Sequence, residues 1–351
     1  MTEPNAPIDY AAEYDNSGRV PNAAELIENY LLDATLFRET HAANLEADLV
    51  YGPAPRNLLD IFWPLKDGTK EHDTDAPLSM FIHGGYWQKL DRSSFSHMAS
   101  GLLAHGVAVV IPSYTLCPDT TLEGIINEMR RACLVLYQTH KRPLTVFGHS
   151  AGGHLAACML ATDWASIHPD LPDDLVQAAM GISGLYDLTP LIHTPINDAV
   201  GMTLEDAETA SPIRWTPQAL QRFEAWVGGE ESTEYHRQSS DLAERWSMLG
   251  TPTTSVSCDG QNHFTVVDAL TDSTSDMVNT LLDLVENPSI SVPLPDSQPD
   301  AVPEPEPDQT APEEDATTVA AEDGATLEND SEEKDDTPED ETRPLEESKA
   351  G

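Results

Sequence analysis

The chain has 351 residues, 39% of them hydrophobic, and a formal net charge of -43. So large an acid excess argues against nucleic acid or an anionic membrane surface as a partner, because both demand positive charge. No run approaches the roughly 20 apolar residues that span a bilayer, and the first residues show no basic region leading into an apolar one, so a cytoplasmic location is expected.

In chain order, Leu26, Tyr30, Leu31 and Phe37 recur at near-helical spacing and predict a helix over 22–40. Strands are expected near Ala43–Tyr51 and Asn57–Trp63, parted by a Gly-Pro-Ala-Pro turn, with a polar loop over Lys66–Ala76. A regular alternation follows. Leu78–Ile82, Val107–Ile111, Leu144–Phe147, Ala178–Ile182, Phe223–Val227 and Thr253–Ser257 read as buried strands. Helices are expected over Ser93–His105, Leu122–Thr139 and Gly152–Thr162. Strands alternating with helices imply βαβ units and a mostly parallel sheet with helices on both faces. Between 188 and 222 the pattern breaks into turns and prolines, which suits a small cap over the sheet edge.

The composition changes near residue 287. From 288 to 351 there is no aromatic residue and no Cys, and 21 Asp and Glu face 3 Lys and Arg, a charge of -18 that leaves -25 for the rest. Such a segment buries too little surface to offset its ordering entropy, so a disordered acidic tail is expected at 288–351, after one α/β domain over 1–287. Cys117, Cys133, Cys158 and Cys258 lie far apart and form no metal-ligand pattern, so no metal and no cofactor are expected.

Two motifs carry chemistry. Residues 148–153 read Gly-His-Ser-Ala-Gly-Gly, between an expected strand and an expected helix. G-x-S-x-G in that setting is a nucleophile elbow: a tight turn presents Ser150 over a helix N-terminus, and small residues at 148 and 152 let the turn close. Residues 83–87 read His-Gly-Gly-Tyr-Trp, directly after Leu78–Ile82. Its backbone N–H groups suit an oxyanion, so Gly84 and Gly85, with Ala151, are the expected donors. His83 is expected to anchor this loop; Tyr86 with Trp87 could pack in the core or form the floor of a substrate pocket, and the pocket is the preferred reading.

A serine hydroxyl needs a base, and the base needs an acid to orient it. The expected chain order is Ser, acid, His. His263, after Thr253–Ser257, stands where that His belongs. The acid should follow Phe223–Val227, where Glu230 and Glu231 are both available; Asp187 and Asp259 are outside choices. The fold so described is the α/β-hydrolase fold, and the substrate a small amide or ester.

The motifs together resemble the arylformamidase (kynurenine formamidase) branch of the α/β-hydrolases, near the hormone-sensitive-lipase-like esterases. The matching pieces are YDNSGRVPN at 14–22, FIHGGYW at 81–87, YTLCP at 114–118, GHSAGGHLA at 148–156, SGLYDLTPL at 183–191 and EYHRQS at 234–239. The resemblance implies Glu231 as the acid, where the family usually has Asp, and hydrolysis of N-formyl-L-kynurenine to formate and kynurenine, a step of tryptophan catabolism. A carboxylesterase of short acyl chains and a non-catalytic binding protein on the same fold are the alternatives. A homodimer is left open.

Overall fold

The computed structural model describes residues 7–218 and 221–289. Nearly all of the acidic segment expected at 288–351 lies outside them. Eight strands form one sheet: β1 (Leu45–Val50), β2 (Leu58–Phe62), β3 (Leu78–Ile82), β4 (Ala108–Pro112), β5 (Leu144–His149), β6 (Val176–Ile182), β7 (Arg222–Gly228) and β8 (Thr253–Cys258). Their spatial order is β1-β2-β4-β3-β5-β6-β7-β8. β1 and β2 pair antiparallel with each other, as do β2 and β4; from β4 to β8 every pairing is parallel.

Strand periodicity divides the core in two. On β3, Met80 and Ile82 enter one apolar cluster and Phe81 the other; on β5, Val146 and Phe147 divide likewise. Every residue of β3, β4 and β5 is buried, as parallel strands covered on both faces must be. Helices Leu122–His140, Ala151–Leu160 and Thr233–Met248 bury Ile125, Leu155 and Leu242 in the first cluster. Helices Ala23–Thr40 and Asp276–Glu286 bury Phe37 and Leu281 in the second. Each such large apolar side chain contributes about 1.5–3 kcal/mol by leaving water.

The helix expected over Ser93–His105 is divided instead. A 3-10 segment, Arg92–Ala99, passes through a non-helical Phe95 (φ -126°, ψ 15°) before a short α-helix, Ser100–Ala104. The start of this segment is held by ion pairing rather than by helical periodicity. The Arg92 side chain is 11% exposed, and its Nε donates to Asp60 Oδ1 at 3.1 Å. Asp60 also takes Arg38, from the N-terminal helix, so two cations share one buried carboxylate.

Among the described residues of the segment 188–222, short helical turns at Thr189–His193, Asn197–Val200, Leu204–Thr209 and Pro212–Arg214 precede β7. Two further turns, Tyr10–Glu13 and Asn16–Arg19, precede the first long helix. Asp9 and Asp15 cap them, each accepting from a backbone N–H three residues on. No helix among the described residues is long and apolar enough to cross a membrane.

Candidate active site

Ser150 sits between β5 and helix Ala151–Leu160 with φ 58° and ψ -118°. A non-glycine residue held there costs of order 1–3 kcal/mol, and such strain survives only where the surroundings impose it. Here they do. A Cβ on Gly152 would fall 1.9 Å from the Ile82 carbonyl oxygen, and one on Gly148 would fall 2.3 Å from that of Gly152. The Ser150 N–H donates to the Ile182 carbonyl at 2.8 Å, tying the bend to β6.

The loop after β3 lies against this turn. A Cβ on Gly84 would stand 2.8 Å from the His149 carbonyl oxygen and 3.0 Å from the Ser150 Cβ. Gly85 has φ +114°, a conformation open mainly to glycine. Among the described hydrogen bonds, none uses the N–H of Gly84 or Gly85, and Ala151, the first helical residue, has no intrahelical partner for its own. His83 braces the loop. Its Nδ1–H donates to the Gly84 carbonyl at 2.8 Å, and its ring stacks on Tyr114 at 4.5 Å. Burial lowers its pKa to about 4, so the ring is neutral at pH 7.

His263 and Glu231 are hydrogen-bonded. His263 Nδ1 lies 2.7 Å from Glu231 Oε2, with side chains 7% and 1% exposed. The other carboxylate oxygen accepts the Gly228 N–H at 2.7 Å and the Ser183 hydroxyl. Burial alone would raise the pKa of Glu231, but the His263 charge and these hydrogen bonds outweigh it and leave the pKa below the usual carboxylate value. An ionised carboxylate only accepts, so His263 carries its proton on Nδ1 and leaves Nε2 to take one. The neighbouring Glu230 is exposed, with its backbone N–H on the Gln261 carbonyl. Asp187 is engaged instead with Thr189 and Arg237.

His149 joins the two halves. Its Nε2–H donates to the His263 carbonyl at 2.8 Å, and the two rings lie 4.8 Å apart. Burial, then the neighbouring His263, lowers its pKa to about 3, so it remains a neutral strut. Among the described hydrogen bonds none joins Ser150 directly to His263. Both line one cavity of about 690 Å³, with Gly84, Gly85 and Tyr86, a volume that suits a small organic substrate.

A hydroxyl network that sequence reasoning missed borders the same place. Asn16 Nδ2 donates to Tyr235 at 2.9 Å and to Tyr86 at 3.1 Å; the two phenol oxygens are 2.7 Å apart. The Tyr86 hydroxyl in turn donates to the Tyr14 carbonyl at 2.7 Å. Tyr235 lies 4.8 Å from the His263 ring, centroid to centroid. Tyr14, Asn16 and Tyr235 all fall inside quoted motifs, but nothing in those motifs alone says that residues 219 positions apart touch.

Tyr86 lines the cavity, as a pocket residue should. Trp87 does not: it is 0% exposed and packs edge-on to His154 at 5.2 Å inside the first core cluster. It is not among the residues that line the cavity, although Tyr86 beside it, with a similar positive φ, is. The expectation that both aromatics form the pocket is corrected for Trp87.

Sheet order, elbow and oxyanion-type loop together define an α/β-hydrolase. A family model described as BD-FAE matches residues 59–218. Kynurenine formamidase of Danio rerio is 30% identical over 68% of this chain and 81% of its own length; that of Salmo salar is 31% identical over 67% and 80%. A solved structure from Silicibacter, described as a candidate thioesterase, superposes with a TM-score of 0.69 at 31% identity, over 79% of this chain and all of its own. An esterase from Pyrobaculum calidifontis, 16% identical with a TM-score of 0.54 over 81% of this chain and 99% of its own, shares the fold. The chain belongs to the kynurenine formamidase family, and it is a hydrolase.

Proposed function

We propose that this hydrolase cleaves an aryl formamide such as N-formyl-L-kynurenine, releasing formate and the free arylamine through a formyl-enzyme on Ser150. The observation that carries the reading is the buried Glu231–His263 pair opening onto the same cavity as a strained serine. Family membership supplies the substrate class.

The steps follow from the groups in place. His263 Nε2 takes the Ser150 proton as Oγ bonds to the formyl carbon. The oxyanion is held by the N–H groups of Gly84, Gly85 and Ala151, each worth about 3 kcal/mol in the transition state. His263 then gives its proton to the leaving nitrogen and the C–N bond breaks. Water, deprotonated by the same imidazole, attacks the formyl ester; formate leaves and Ser150 regains its proton. Throughout, Glu231 holds the ring and stabilises its charged form.

Esterase activity on short acyl chains uses the same groups, so kcat/KM for N-formylkynurenine against p-nitrophenyl acetate is the deciding comparison. A preference for the formamide of about 100-fold supports the reading; a preference for the ester replaces it with a carboxylesterase. A chain that turned over neither would be a binding protein. A cytoplasmic setting is proposed with it, supported by four cysteines without a disulfide; subcellular fractionation checks it.

A further inference from the structure

The cavity beside Ser150 is largely apolar, with Ile27, Leu90, Phe95 and Ile196 in its wall. One carboxylate, Asp15, and one ammonium, Lys89, also line it, and both are solvent-exposed, which places them at its mouth. Neither forms an ion pair among the described residues. Asp15 spends one oxygen on the Gly18 N–H, at 2.9 Å, as the cap of a helical turn.

Lys89 stands out against the composition. Lys66, Lys70, Lys89 and Lys141 are the only lysines before residue 290, in a region whose net charge to residue 287 is -25. A lysine that finds no acidic partner in so acidic a chain, yet borders the cavity, is available to a ligand. Its backbone is also fixed to the loop beside Ser150: the Lys89 N–H donates to the Gly85 carbonyl at 3.1 Å, and a Cβ on Gly85 would meet the Lys89 carbonyl oxygen at 2.4 Å. Asp15 is fixed likewise, next to Asn16, whose amide is hydrogen-bonded to Tyr86 and Tyr235.

The geometry points to a zwitterion site, in which Lys89 takes the α-carboxylate and Asp15 the α-ammonium of an amino-acid substrate whose aryl formamide reaches Ser150. Two opposite charges at the rim of an apolar pocket complement a ligand with an apolar body and a dipolar head. A neutral acyl ester has no use for either charge, an anion would meet Asp15, and a cation would meet Lys89. The inference rests on the formamidase reading and names how that substrate is told from simpler formamides.

The test compares N-formylkynurenine with 2-formamidoacetophenone, which keeps the aryl formamide and lacks the amino-acid head. The ratio of their kcat/KM values is measured in the wild type, in Lys89→Met and in Asp15→Asn, a change that keeps a good cap. The ratio should fall about tenfold or more in Lys89→Met and severalfold in Asp15→Asn, chiefly through KM. A ratio within twofold of wild type in both variants overturns the site. Turnover of 2-formamidoacetophenone by the wild type reports separately on the formamidase reading. Should neither formamide be cleaved, protection of Ser150 from a fluorophosphonate by L-kynurenine still decides: protection lost in Lys89→Met supports the site, and no protection in the wild type overturns it.

Discussion

Replacing Glu231 with Gln changes one atom and should nearly abolish turnover. The carboxylate accepts three hydrogen bonds, from the Gly228 N–H and the Ser183 hydroxyl on one oxygen and from His263 on the other. An amide has a single acceptor oxygen. If that oxygen keeps Gly228 and Ser183, the NH₂ group faces His263 Nδ1, which must then accept, and the ring proton moves to Nε2 where the base is needed. If the amide turns over, two donors meet the Gly228 N–H in a site where the side chain is 1% exposed. Loss of the correct tautomer in a serine-histidine-acid system costs roughly 10⁴ in kcat, or about 5.5 kcal/mol. Steady-state kcat on N-formylkynurenine, read with the melting temperature of each variant, checks this. Glu230→Gln should stay within twofold of wild type because Glu230 is exposed. A Glu231→Gln enzyme with near-normal kcat, or a larger loss at Glu230, refutes the reasoning.

Three further outcomes are expected. Gly84→Ala puts a methyl group 2.8 Å from the His149 carbonyl oxygen, and displacing the loop should lower kcat by about 100-fold or more; unchanged kcat would show that the loop does not hold the oxyanion. Tyr235→Phe leaves one N–H of the buried Asn16 without its phenol partner, so urea unfolding should show a loss of about 1–3 kcal/mol. Burial lowers the pKa of His83 and His154 to about 4 and that of His149 to about 3. The unfolded chain therefore binds protons below pH 6.5 while the native chain does not. The resulting stability is complete above pH 6.5 and falls toward pH 4, by up to about 1.4 kcal/mol per pH unit for each ring. Urea midpoints from pH 7.5 to 5 should show a shallower decline in His154→Gln than in wild type; identical slopes would count against a neutral buried ring.

The strands were legible because their signal is local. Leu78–Ile82 is a short apolar run ended by His-Gly-Gly, and it forms β3 over the same residues. The Ser150 turn was legible for a similar reason, since glycines at 148 and 152 mark a bend whose atoms leave no space for a side chain. What escaped depends on distant partners. The expected helix is interrupted at Phe95, just after Arg92, which is held by Asp60, 32 residues earlier. No element is expected over residues 10–19, since four-residue turns carry no periodicity, yet Asn16 meets Tyr86 and Tyr235, and Tyr14 donates to Glu234 at 2.9 Å. Trp87 departs from the expectation because an aromatic beside a glycine pair carries no mark of direction: Tyr86 and Trp87 share a positive φ, yet the first lines the cavity and the second is buried in the core. Glu230 and Glu231 could not be told apart by spacing, whereas their exposure separates them.

Whether Ser150 forms a covalent bond during turnover is settled most directly by mass spectrometry of the protein treated with a fluorophosphonate. The account predicts one adduct per chain, located on Ser150, with activity lost in proportion, and neither labelling nor turnover in Ser150→Ala. Formamide hydrolysis that persists in Ser150→Ala, or an adduct on another residue that accounts for the loss, would contradict it.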